Sequence, residues 1–167
     1  SCAGMMGHDY LQLFEGSSEF DKVQRFAARV YDLSQYLDEI LQVNYEDKGE
    51  KIKVAWHSNC HALRVAKSVE ASKNLIRKLT NVELLELEHE EECCGFGGTF
   101  AVKESDISNA MALAKIEDIK KTGASYLISG DGGCLLNISG TMKRNGVDIK
   151  CLHLYDFLIK RLEGAPL

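Results

Sequence analysis

Ser125-Tyr126-Leu127-Ile128-Ser129-Gly130-Asp131-Gly132-Gly133-Cys134 holds the change of backbone regime that decides the fold. The first five residues read as a short, buried strand, the glycines stop it, and a cysteine stands at the start of a helix. Similar events occur upstream. Lys53-Val54-Ala55-Trp56 reads as a first strand and runs into His57-Ser58-Asn59-Cys60-His61. Val82-Glu83-Leu84-Leu85-Glu86-Leu87 reads as a second strand, followed after an acidic stretch by Cys93-Cys94-Gly95-Phe96-Gly97-Gly98. Val147 to Leu152 supplies a fourth strand. Apolar residues between the strands recur at helical spacing: Leu63, Ala66, Val69, Leu75, Ile76 and Leu79, then Ile107, Ala110, Met111, Ala114 and Ile119 in a helix over about Lys103 to Lys121. A short helix is expected after Cys134, and another from Tyr155 to Leu162. Ahead of the strands, Phe20, Val23, Phe26, Ala27, Val30, Tyr31, Leu37, Ile40 and Leu41 predict one helix from about Glu19 to Val43.

Strands alternating with helices at this spacing imply right-handed crossovers and a parallel sheet. The expected fold is α/β: a Rossmann-like, open parallel sheet of about four strands flanked by helices. If the first strand is central, crossovers diverge to either side of it, and ligands bind at the carboxyl ends of the strands, at the switch point. Cys60, Cys93, Cys94 and Cys134 all follow the first three strands. Fold and cysteine positions therefore point to one edge of the sheet.

Composition narrows the function. The chain has 167 residues, enough for one domain, residues 1–167, with a core of its own. Its net charge of -5 argues against nucleic acid as a partner. No apolar run reaches the roughly 18 residues of a membrane span. Six cysteines in an α/β chain are better read as reduced thiols in a cytoplasm than as a disulfide framework.

Adjacent residues of a strand point to opposite faces, so Cys93 and Cys94 do not read as core packing. Two thiols converging from a glycine-rich loop make sense as soft ligands for iron or zinc. Gly95, Gly97 and Gly98 permit positive φ and close approach to a bulky group, and their N–H groups can bond to cluster sulfurs. A phosphate-binding nest is the other reading of these glycines, but it leaves the cysteine pair unexplained. Cys134 at a helix start favours thiolate, the metal-binding form. Asp131 either orients a ligand or caps that helix. His57 and His61 bracket Cys60 as ligands, outer-sphere donors or proton carriers, or as solvent-facing residues beside a helix cap. Cys151 reads as a small hydrophobe inside a strand, Cys2 as a strand-end cysteine without companions, and the acidic run from Glu86 to Glu92 as a solvated face.

Cys60, Cys93-Cys94-Gly95 and Cys134 resemble, in order and spacing, the cysteine-rich CCG domain family of iron–sulfur proteins. That family includes the cysteine-rich subunit of heterodisulfide reductase and the glycolate oxidase iron–sulfur subunit. The string from Cys93 to Lys103, Gly133-Cys134-Leu135-Leu136-Asn137 and the closing His153-Leu154 are most similar to its lactate-utilization branch. The resemblance implies an iron–sulfur electron-transfer subunit of a complex that oxidises L-lactate to pyruvate. Cys60, Cys93, Cys94 and Cys134 would hold a 4Fe-4S cluster, and other subunits would be the partners. No catalytic residue is identified, and nothing reads as a lactate site. Asn137 stands where heterodisulfide reductase has a further cysteine, which departs from a five-cysteine cluster. Family members carry two repeats, so residues 1–45 are expected to be the tail of a missing amino-terminal repeat plus a connecting helix. Three other functions fit the same residues: a zinc-stabilised (Zn2+) assembly module, an iron–sulfur subunit for glycolate or glycerol 3-phosphate, and thiol–disulfide chemistry of the heterodisulfide type.

Overall fold

The structure is a computed structural model that describes residues 2–167. It divides into two compact units, one made of residues up to Val43 with Cys60–Leu75, the other of Asn44–Asn59 with Ile76–Leu167.

The first unit is helical. Residues 2–13 form short helical turns with a wider π turn at Met5–Asp9. Cys2 is therefore exposed on a helical turn, not at the end of a strand as expected. The long helix expected from Glu19 to Val43 is broken. Helix α1 (Phe20–Ala27) stops, and Asp32 is extended, with φ -67° and ψ 150°. The reason is a capping box. The Asp32 carboxylate accepts the Ser34 N–H at 3.1 Å, and the Gln35 side-chain oxygen accepts the Asp32 N–H at 3.1 Å. Starting a new helix this way satisfies N–H groups that a continuous helix would have bonded internally. The unit is knitted by Gln35 donating to the Ala66 carbonyl at 3.3 Å and Asn74 donating to Asp38 at 3.0 Å. A second expected helix is also interrupted, by Lys67 at φ 54°, before α2 (Val69–Arg77) begins.

The second unit contains the sheet. Its strands are β1 (Ile52–His57), β2 (Val82–Leu85), β3 (Tyr126–Ser129) and β4 (Lys150–His153). All pairings are parallel, in the order β2-β1-β3-β4. This is the expected α/β, Rossmann-like arrangement, and β1 is central. The chain leaves β1 for β2 on one side and then returns to place β3 on the other. The switch point therefore lies between β1 and β3, where His57 pairs with Ser129. Ala55 and Leu127 pack with Ile116 and Ile119 of α3 (Ser105–Thr122) and Ile138 and Met142 of α4 (Gly132–Arg144). The helix expected to be short after Cys134 runs 13 residues and already contains that cysteine in its first turn. Val54, Trp56 and Ile128 alternate to the opposite face and are equally buried. Helix α5 (Leu154–Glu163) closes the chain and buries Phe157 and Leu158. Among the described residues, no helix is long and apolar enough to cross a membrane.

Candidate metal centre

Three sequence elements deliver donors to the switch point. His57 is the last residue of β1 and Cys134 lies in the first turn of α4, just after β3. Cys94 comes from the loop that follows β2. A ring nitrogen of His57 and the thiol sulfurs of Cys94 and Cys134 all lie within 4.8 Å of one another. The three residues are buried, at 1%, 2% and 7% exposure. Ser129 Oγ donates to the His57 carbonyl at 2.9 Å, tying the end of β1 to the end of β3.

His57 is the notable member. Among the described residues, neither of its ring nitrogens meets hydrogen-bond geometry, and its polar interaction is with the Cys94 thiol, whose pKa it lowers. Burying an imidazole without a well-formed hydrogen bond costs free energy that native structures rarely leave uncompensated. Two sulfurs beside it supply the company a cation would need.

The two thiols act as a unit. The Cys94 thiol is pulled well below the ordinary thiol range, chiefly by the hydrogen bond from Cys134. Burial opposes this shift, while His57 and the Phe96 N–H assist it. Cys134 moves the other way because its proton is shared with Cys94, and burial and Asp131 add to the rise. The pair thus loses its first proton readily and its second with difficulty. A bound cation would remove that second cost, since metal ligands are thiolates.

The remaining sequence candidates are placed as follows. Cys93 is half-buried, and its sulfur accepts the Gly95 N–H at 3.4 Å. Cys60 is exposed and, like His61, belongs to the first unit. Gly95 has φ 80°, and a Cβ there would lie 2.6 Å from the Ser108 carbonyl oxygen. The loop can approach α3 this closely only without a side chain. Gly97 and Gly98 also have positive φ, at 50° and 61°. A Cβ on Gly133 would lie 2.5 Å from the Phe96 ring, so that glycine lets the ring close over the start of α4. Asp131 resolves as a cap, accepting the Cys134 N–H at 2.8 Å. Cys151 packs on the core beside Met142, and burial raises its thiol to about 11.

Several residues of the site were not anticipated. Asn137 donates to the Cys94 carbonyl at 2.9 Å and to Ser108 Oγ at 3.3 Å. The acidic run read as a solvated face is largely that, with Glu86, Glu88, Glu91 and Glu92 exposed, but it is anchored at two points. Leu87 is buried, Ser58 donates to Glu90 at 2.5 Å, and Trp56 Nε1 donates to Ser58 at 2.8 Å.

The pattern of the cysteine-rich domain, CCG, matches residues 54–139, from β1 to the second turn of α4. The chain belongs to the cysteine-rich CCG domain family. Its similarity to curated relatives extends well beyond that core. It is 36% identical over 166 residues to lactate utilization protein A of Oceanobacillus iheyensis, covering 99% of this chain and 68% of the relative. It is 39% identical over 164 residues to lactate utilization protein A of a Geobacillus species, covering 96% and 68%. It is 37% identical over 168 residues to lactate utilization protein A of Macrococcus caseolyticus, covering 99% and 67%. In this CCG chain the segment covered by the family pattern contains His57, Cys60, Cys93, Cys94 and Cys134.

Proposed function

We propose that this CCG protein is an iron–sulfur electron-transfer component of a cytoplasmic lactate-utilization system, acting in the oxidation of L-lactate to pyruvate. The observation that carries the reading is the convergence of buried His57, Cys94 and Cys134 at the carboxyl ends of parallel strands. The His57 nitrogens, neither of them in hydrogen-bond geometry, and the shared proton of the two thiols support a cation there. Cys60, Cys93, Cys94 and Cys134 are the proposed thiolates for a 4Fe-4S cluster, with His57 and His61 as proposed outer-sphere donors and Gly95, Gly97 and Gly98 lending backbone donors. When bound, such a cluster supplies one-electron transfer. The protein's own part is to hold thiolates, exclude water through Phe96 and Leu135, and fix the cysteine loop against α3 and α4. The lactate assignment rests on the names of the relatives, and substrate chemistry is assigned to partner subunits.

One observation favours a second reading, a structural zinc site in an assembly module. Donors at about 2.0–2.3 Å from one tetrahedral zinc stand roughly 3.3–3.8 Å apart. The three gathered donors, within 4.8 Å of one another, approach that spacing.

Metal analysis with a visible spectrum separates the two, on protein purified without oxygen and on a Cys93→Ser, Cys94→Ser double variant. The iron–sulfur reading expects about four irons per chain, with absorption that bleaches on reduction and is absent from the variant. One colourless zinc per chain, lost in the variant, would replace it with the structural reading. Metal content equal in both proteins would sink both.

A further inference from the structure

One face of α3 carries three buried polar side chains, Ser108, Lys115 and Asp118, with half-buried Met111 among them. Ser108, Met111, Lys115 and Asp118 follow one another at helical spacing, and all four meet the segment that leads into and out of the cysteine pair. Ser108 and Met111 meet Gly95 just after the pair. Lys115 Nζ donates a hydrogen bond to the His89 carbonyl just before it. The Asp118 carboxylate accepts the Glu88 N–H at 3.2 Å and the His89 N–H at 2.9 Å. The exposure of Lys115 is 0% and that of Asp118 is 3%.

A buried ammonium is costly unless opposite charge surrounds it. Burial lowers the Lys115 pKa, and the charges that oppose this are, in order, Asp118, Glu92, Glu90 and Cys94. The hydrogen bond itself goes to a neutral carbonyl, so compensation comes through space, first from Asp118 on the same helix, then from Glu92 and Glu90 of the loop and last from the Cys94 thiol. A solvent-facing lysine would hold the helix surface equally well, so a helix-stabilising role does not explain why this one is buried. Its position behind the loop does, because thiolates gathered around a metal concentrate negative charge where water cannot screen it.

We infer that Lys115 and Asp118 are positioning residues for the Cys93–Cys94 turn, and that Lys115 is the buried cation that balances the negative charge of the loaded thiolate site. Asp118 fixes the main chain of the approach, and Lys115 adds both an anchor and a charge. The charge part rests on the electron-transfer reading above, and the anchoring part does not.

The test has two arms. Hydrogen exchange on reduced, metal-free protein reads the anchoring. In Lys115→Met and in Asp118→Asn, the amides of Glu88 and His89 are expected to lose about tenfold or more of their protection, while those of β1 and β3 keep theirs. Unchanged protection at these amides would overturn the positioning role. The midpoint potential of the loaded full chain reads the charge. A nearby cation favours the reduced, more negative form, so Lys115→Met should lower the potential, Asp118→Asn should raise it, and Lys115→Arg should stay near wild type. Shifts of the same sign in Lys115→Met and Asp118→Asn would reduce both residues to structural parts and overturn the charge role. If Lys115→Met does not fold, Lys115→Arg and Asp118→Asn decide the same question. A loaded protein with no redox transition would overturn the charge role together with the electron-transfer reading, and exchange on metal-free protein would still decide the anchoring.

Discussion

The Asn137 side-chain amide donates to the Cys94 carbonyl oxygen at 2.9 Å, so helix α4 holds the cysteine loop from one turn beyond the point where it presents Cys134. One helix thereby sets the positions of two donors. Cys134 rides on its first turn, and Cys94 is pinned to its second through the main chain. The same amide reaches Ser108 on α3 at 3.3 Å, which makes Asn137 the link between the two helices and the loop.

Replacing Asn137 by Ala is expected to leave the Cys94 carbonyl without its partner and to cost about 1–3 kcal/mol in stability. The metal loaded per chain should fall with it, because the loop that carries Cys94 loses its fix. Urea unfolding and metal content of Asn137→Ala and Asn137→Asp check this. Unchanged loading in both variants would mean that the loop is held by other contacts.

Gly95 allows a sharper test of the same geometry. Its φ of 80° and the 2.6 Å approach of a notional Cβ to the Ser108 carbonyl leave no room for alanine. Gly95→Ala should cost about 1–3 kcal/mol and reduce metal loading. Gly98→Ala has positive φ but open space around it, so its cost should be smaller. Equal effects at the two positions would show that backbone strain alone, and not packing against α3, decides the outcome.

The sheet was legible because β1, β2 and β3 are short, largely apolar runs that end at a polar turn or glycine, whereas β4 passes straight into α5 and was read from its alternation alone. Cys94 stood out because two adjacent thiols beside glycines do not fit a regular strand, and Cys134 because it stands at a helix start just after a strand. Three features escaped for different reasons. The break after Ala27 is written in Asp32-Leu33-Ser34-Gln35, a local capping box, but the apolar periodicity of Val30, Tyr31, Leu37 and Ile40 runs straight across it. Lys115 and Asp118 lie on an amphipathic helix where a charged residue ordinarily faces water. Their burial is imposed by where the distant loop at residues 86–95 returns, and helical periodicity carries no record of that. His57 was weighed only as one of two histidines beside Cys60. Its pairing with Ser129 on a neighbouring strand is what turns it toward Cys94 and Cys134.

Cys151 is the internal control for the proposed thiolates. It is in β4 against the core, and burial raises its thiol to about 11, so it stays protonated at neutral pH. Cys151→Ala should cost about 1 kcal/mol of packing and leave metal loading unchanged, whereas Cys94→Ala should abolish loading. Metal analysis of the two single variants reads the difference directly. Loss of metal in Cys151→Ala at unchanged stability would assign that thiol to the site.

Away from the metal centre, stability rests heavily on Asp47 and Arg161. The Asp47 carboxylate accepts Arg161 Nε at 2.8 Å and contacts Nη2 at 2.6 Å, with both side chains nearly inaccessible, at 0% and 3% exposure. The N–H groups of Gly49 and Asn81 donate to the same carboxylate at 3.1 Å and 2.8 Å. Burial alone would raise the Asp47 pKa. The bond from Arg161 and the two N–H groups outweigh it and hold the value below its ordinary 3.8. Because the folded pKa lies below the unfolded one, the stabilisation is fully present above pH 3.8 and is lost as pH falls through the folded value. Asp47→Asn should therefore cost about 3–5 kcal/mol at neutral pH, since it strands a buried guanidinium. The gap to wild type should narrow only in acid, below the ordinary carboxylate range. Urea midpoints of the two proteins, measured at neutral pH and again at about pH 3, test both the size and the sign. A gap that widened in acid would mean that Asp47 is not the charged partner of Arg161.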